Sequence, residues 1–218
     1  MSLIIPLPET NSYSLDKPAL TLDVNQIPIN PLETIAPELY GLLNFEWNYF
    51  DTQSVYLCVT PETEEEIIHG GSIDSLGSKA YQRYLKSKLY KLRPPEASLQ
   101  LADEEADELW LDICEVLWPA IPNSGLTYNQ VSDVDQLFWH IVSSGSTVSN
   151  SAFLTLDGNF LEKKNPIEER YGVTVLDPNT AWDIYQPEYG LVTPDSNQLM
   201  TLWVSQQDYY FRMLKESE

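Results

Sequence analysis

Four short apolar runs punctuate the chain, and each ends abruptly in a polar residue. They are Ala19-Leu20-Thr21-Leu22 before Asp23-Val24-Asn25, Val55-Tyr56-Leu57-Cys58-Val59 before Thr60, Ser151-Ala152-Phe153-Leu154-Thr155-Leu156 before Asp157, and Val173-Thr174-Val175-Leu176 before Asp177. Unbroken runs of this length, rich in β-branched and aromatic residues, predict strands buried on both faces. The segments between them carry helical spacing. Leu32 to Phe50 reads as helix with a break near Pro37, and Thr60-Pro61 supplies an N-cap and a first helical residue. A further helix is expected from Tyr81 to Tyr90, ended by Pro94-Pro95. From Ser98 to Trp118, Ala102, Ala106, Leu109, Trp110, Ile113 and Leu117 recur at three and four, with acids on the other face. Residues 132–142 predict a helix with Leu137, Phe138, Ile141 and Val142 inward; Asp177-Pro178 opens another through Trp182, and 196–214 a last one. Strands alternating with helices predict an α/β three-layer sandwich around a central, mainly parallel sheet.

Composition agrees with a folded domain. Of 218 residues, 43% are hydrophobic and 11% aromatic, enough for one substantial core. No repeat or low-complexity tract interrupts the chain. The expected organisation is an extended arm over 1–18, one domain over 19–186, and a helical extension over 187–218 packed on it. No apolar stretch reaches the ~20 residues of a membrane span, and the N-terminus lacks the basic and apolar regions of a signal peptide. Cys58 and Cys114 sit in apolar segments and read as buried thiols, which suits a reducing cytoplasm.

Charge complicates the picture. Twelve Lys and Arg against thirty-three Asp and Glu leave a net charge of −21. A protein that neutralises phosphates ordinarily carries a basic face. Either bound cations or a basic partner must bridge this chain to a polyanion, or it binds none.

The acids are not scattered at random. Parallel sheets bind ligands beyond the carboxyl ends of their strands, where Asp23, the run Glu62, Glu64, Glu65, Glu66, and Asp157 all fall; Asp133 and Asp135 open the helix leading to the third of these strands. Carboxylates that converge repel one another unless a cation lies between them, and an all-oxygen set suits Mg²⁺ or Mn²⁺. Each acid has a plainer reading too. Ser132-x-x-Asp135 fits a capping box, the glutamates fit a first helical turn, and Asp157-Gly158 fits a turn. His140 reads as a packing residue of the helix that carries Asp135, and His69 as an exposed loop residue.

The order LTLDVN, a strand leading into a Glu-bearing helix, DVDQLFWHI, FLTLDGNFL and ERYGVTVLDPNTA resembles the PIN-domain superfamily of metal-dependent ribonucleases, over roughly Ala19 to Tyr185. The resemblance implies a PIN-like fold and hydrolysis of RNA phosphodiester bonds by a water activated at Mg²⁺ or Mn²⁺. It implies Asp23, Glu66, Asp135 (or Asp133 in an alternative register) and Asp157 as metal ligands, with Asn25 and Thr155 as orienting groups. Which glutamate of the 62–66 run takes the second place stays open. RNA contacts would start on Lys79, Arg83, Lys86, Lys88, Lys91 and Arg93, six of the twelve basic residues, interleaved with Tyr81, Tyr84 and Tyr90. Lys163 and Lys164 would flank the entrance. Many members of that superfamily are dimers, so a homodimer is implied. The rival expectation is a catalytically silent acidic module that binds a basic protein partner, as in a toxin–antitoxin or defence system.

Overall fold

A computed structural model of the chain describes residues 17–23, 40–62, 90–91, 103–122, 125–144 and 151–202. Among these residues there are five strands: β1 (Ala19–Leu22), β2 (Tyr56–Val59), β3 (Tyr90–Lys91), β4 (Ser151–Leu154) and β5 (Thr174–Leu176). They form one sheet in the order β3-β2-β1-β4-β5, and every neighbouring pair is parallel. The helices are α1 (Tyr40–Trp47), which widens into a π turn at Asn48–Thr52, α2 (Asp103–Leu117), α3 (Tyr128–Ser144), α4 (Gly158–Glu162), α5 (Lys164–Tyr171) and α6 (Pro178–Tyr189). Among the described residues no helix is long and apolar enough to cross a membrane.

Strand alternation divides the core in two, because successive side chains point to opposite faces. Leu20, Leu22, Leu57, Val59, Ala152 and Leu154 pack with Leu42 and Phe45 of α1 and with Ala181 and Tyr185 of α6. On the other face Phe153 and Val175 pack with Ile113 and Leu117 of α2, Val134 and Leu137 of α3, Phe160 of α4 and Ile167 of α5. Helices cover both faces, as an all-parallel sheet requires. The predicted three-layer α/β sandwich is therefore present.

Several boundaries differ from expectation for local reasons. Tyr90 belongs to β3, paired with Cys58, and not to a helix; residues 81–89 lie outside the described ones. α3 begins a turn before Ser132. Its capping box is Thr127-x-x-Gln130, in which the Thr127 N–H donates to Gln130 Oε1 at 2.9 Å and the Gln130 N–H to Thr127 Oγ1 at 3.4 Å. Ser132 and Asp135 thus lie inside the helix, and the capping role for that pair is ruled out. The inward face of α3 is the apolar one expected only in part: Leu137, Phe138 and Ile141 pack on the core with Val134, and polar side chains share that face. Leu137 is fully buried, but Ser132, Gln136 and His140, at four-residue spacing, are each only 1% exposed, whereas Phe138, Ile141 and Val142 are half-buried. α6, capped by the Asp177 side chain, runs seven residues past Trp182 to Tyr189.

The extension expected after 186 is anchored at its start. Asn48, fully buried, accepts from the Val192 N–H at 3.1 Å and donates Nδ2 to the Val192 carbonyl at 2.8 Å. Leu191 joins the core between α1 and α6. These two helices come close at Gly41, whose N–H donates to Asn179 Oδ1 at 2.7 Å. A Cβ on Gly41 would stand 2.0 Å from the Pro178 carbonyl oxygen. Alanine normally favours a helix interior by about 1 kcal/mol over glycine, but here it must push α6 away. Gly41→Ala is therefore expected to lower stability by about 1–3 kcal/mol, measured as a lower urea midpoint; an unchanged or higher midpoint would show that the two backbones do not meet there.

Candidate functional site

β1, β2 and β3 extend the sheet in one direction, and β4 and β5 extend it in the other. The chain therefore reverses between β1 and β4, and the crevice at the carboxyl ends of these two strands is where open α/β sheets bind ligands. Both strands reach it with polar residues. Asp23 and Thr155 follow their last residues and are 1% and 0% exposed. Backbone pairing continues past the strands to align them: the Asp23 N–H donates to the Leu154 carbonyl and the Thr155 N–H to the Leu176 carbonyl, each at 3.0 Å.

The side chains then join. Thr155 Oγ1 donates to Asp23 Oδ2 at 2.7 Å and accepts from the Asp157 N–H at 2.8 Å. A hydroxyl has one proton and two lone pairs, so Asp23 takes the proton and the turn at Asp157 takes a lone pair. The Asp157 carboxylate caps α4, with Oδ1 accepting from the N–H groups of Asn159 at 2.7 Å and Phe160 at 3.4 Å. Asp157 thus starts a helix whose first residue is Gly158, in place of the turn expected of Asp157-Gly158, and the cap holds the carboxylate at the crevice, half-buried.

The helix acids are held differently. Asp135 Oδ1 accepts from the Trp110 indole N–H of α2 at 2.6 Å. Burial raises the Asp135 carboxyl above the usual range, and the indole bond opposes this. Asp133 is half-buried two residues earlier on the same helix, about 200° around its axis from Asp135. Lys163 and Lys164 stand at the junction of α4 and α5, beyond the far end of the helix that Asp157 caps. Asp177, at the end of β5, is spent on α6. Partial burial disfavours its charge, but the Thr180 hydroxyl and the N–H groups of Thr180 and Asn179 hold its carboxyl below the usual range. Asn25, Glu66, Lys79, Arg83, Lys86 and Lys88 lie outside the described residues.

Three expected site residues, Asp23, Thr155 and Asp157, therefore meet through hydrogen bonds, while Asp135 is tied to Trp110. The set is chemically suited to a hard divalent ion: Asp23 is a buried carboxylate whose Thr155 partner brings a hydrogen bond but no charge, and every donor is oxygen. In number it is incomplete. Among the described residues no three of His, Cys, Asp and Glu are grouped so as to hold a metal.

The buried stripe of α3 lies beside this crevice and was not anticipated as part of it. His140 Nδ1 is 2.9 Å from Thr21 Oγ1 of β1, and its ring lies 5.6 Å from that of Phe153. The polar spacing Ser132, Gln136, His140 was visible in the sequence; the partner of Asp135, twenty-five residues away, had no local signal. No protein-family model matches the chain, and no curated protein matches it.

Burial lowers the His140 pKa from 6.5 to about 3. Its imidazole is therefore neutral in the folded chain at physiological pH. Between these values the unfolded chain binds a proton that the folded chain refuses, so stability present above pH 6.5 is lost as pH falls towards 3. One such proton gives a slope of about 1.4 kcal/mol per pH unit. Unfolding free energies of the parent and His140→Asn, measured from pH 7 to pH 4, should differ by an amount that shifts against the parent on acidification. A constant difference would mean that His140 titrates in the fold as it does unfolded.

Proposed function

We propose that the chain is a PIN-like, divalent-metal-dependent endoribonuclease acting at the crevice between β1 and β4. The observation that carries this reading is the Asp23–Thr155–Asp157 chain of hydrogen bonds at the point where the sheet reverses. Asp23 and Asp157 would hold Mg²⁺ or Mn²⁺ together with Glu66 and Asp135, with Asp133 as the alternative helix acid. Such an ion would offset the repulsion of the acids, neutralise a phosphodiester oxygen and acidify an attacking water. Thr155 fixes the rotation of the Asp23 carboxylate, so that its second oxygen is presented in one direction. The α4 cap fixes Asp157 in the same way. Asn25 would orient the first acid from its own strand end. Lys79, Arg83, Lys86 and Lys88 would grip the RNA backbone, and Lys163 and Lys164 would lie along its path. The bound cation and this basic segment together would admit a polyanion to a chain of net charge −21.

The site can be tested without damaging the fold. Asparagine caps a helix as well as aspartate does, so Asp157→Asn should keep its thermal midpoint yet lose Mn²⁺-dependent cleavage of RNA. Thr155→Val, which removes only the orienting hydroxyl, should retain activity reduced about 10–100-fold. Full cleavage by Asp157→Asn would refute the site.

A second reading is favoured by the charge. A net of −21 would attract a cationic surface. On this reading the chain is a silent acidic module for a basic protein partner. Metal titration separates the two. A ligand cluster saturated about 100-fold over its Kd gains about 2.7 kcal/mol, roughly 5–10 °C in a chain of this size. Millimolar Mn²⁺ should therefore raise the thermal midpoint of the nuclease by that amount, with reversal by chelator, and leave a silent module unmoved.

A further inference from the structure

We propose that the buried hydrogen bond between His140 and Thr21 is a register lock that sets the spacing between the helix acids and the strand acids, which makes His140 and Thr21 positioning residues; this inference rests on the metal site proposed above.

Three geometric facts support it. Thr21 and Asp23 are two apart at the end of one strand, so their side chains leave the same face of the sheet, and Phe153 and Thr155 do the same on the neighbouring strand. That face is the one covered by α3, because His140 Nδ1 meets Thr21 Oγ1 at 2.9 Å and the His140 ring packs on Phe153. Finally, a helix that joins parallel strands of one sheet runs back antiparallel to them, which turns the N-terminal half of α3, with Asp133 and Asp135, toward their carboxyl ends. Gln136 lies one turn from His140, about 6 Å along the helix. Asp23 lies about 6.6 Å beyond Thr21 along the strand. The polar stripe and the acid-bearing strand end thus advance together, and α3 has one height at which they match.

An apolar interface would not fix that height. Leucine against valine tolerates small slides, since hydrophobic contact is non-directional, whereas a buried hydrogen bond is costly to leave unmade. Ser132, Gln136 and His140, each at 1% exposure, share the inner face with the fully buried Val134 and Leu137, while Phe138 and Trp139 sit half-buried beside them. A helix that only had to stick would fill those three positions with apolar side chains as well.

The test compares Thr21→Val, His140→Leu and the double variant in the full chain, by thermal midpoint without metal and by the Mn²⁺ concentration that half-saturates the midpoint shift. Each single variant strands a buried partner and should melt lower than the double variant, in which both polar groups are gone. The double variant should need about 10-fold more Mn²⁺ or beyond for half-saturation. His140→Asn, which can return an amide near the Nδ1 position, should restore half-saturation to within about 3-fold of the parent, and this arm stands if His140→Leu fails to fold. An unchanged Mn²⁺ requirement in a folded double variant, with the parent responding normally, would overturn the lock while leaving the site intact. A parent that does not respond to Mn²⁺ would overturn the site, and the lock with it.

Discussion

The pairing of β1 with β4 is the constraint on which the rest depends. Leu22 lies opposite Leu154 in this pair, so the next residue of each strand places Asp23 beside Thr155. A slip of one residue would turn every side chain of the strand to the other face, sending Leu20 and Leu22 out of the α1–α6 core and Asp23 into it. The apolar alternation that builds the core and the polar contact that builds the crevice are thus one choice of register. A carboxylate at 1% exposure is expensive. Here part of the expense is offset by the Thr155 hydroxyl, whose own orientation is fixed by the Asp157 N–H.

Much of this architecture is legible in the chain because the central strands are buried on both sides. A strand with no solvent face is mostly apolar, and β1, β2, β4 and β5 stand out as such, with Thr21, Ser151 and Thr174 the exceptions. β3 does not, since Tyr90 and Lys91 form a two-residue edge strand set among lysines with no apolar run to mark it. The start of α3 was obscured by chemistry that occurs twice: Thr127-x-x-Gln130 and Ser132-x-x-Asp135 are both capping-box patterns, and only the first begins the helix. The polar part of its inner face escapes that pattern because helical periodicity is read from apolar positions, and this helix buries Ser132, Gln136 and His140 beside Val134 and Leu137. At the crevice, Asp23, Thr155 and Asp157 are recognisable because they stand at the carboxyl ends of buried runs, where parallel sheets bind ligands. The bond from Trp110 to Asp135 depends on how α2 crosses α3, which no local pattern encodes.

Acidity shapes the surface as well as the crevice. Along α2, Glu104, Glu105, Asp107, Glu108 and Glu115 are all exposed, and no basic residue occupies the last turn, where a cation would suit the helix dipole. Arg170 lies against Asp112 on the same helix, and Tyr171 donates to the other oxygen of that carboxylate at 2.8 Å. Self-repulsion of this kind is long-ranged in dilute buffer and weakens as the Debye length shrinks to about 8 Å at physiological ionic strength. The fold is consequently one whose compactness is supported by the salt around it.

The two cysteines have a practical consequence. Cys58 lies in β2, between its partners Thr21 and Tyr90, and Cys114 lies within α2; neither is more than 1% exposed. Burial pushes the Cys58 thiol far up and, with the nearby Asp135 charge, lifts that of Cys114 to about 11. Because only the thiolate reacts, both sulfurs are inert to alkylating reagents until their own surroundings part. Each is a built-in clock: one times the opening of the sheet towards its β3 edge, the other the lifting of an outer helix, with no label added to the chain.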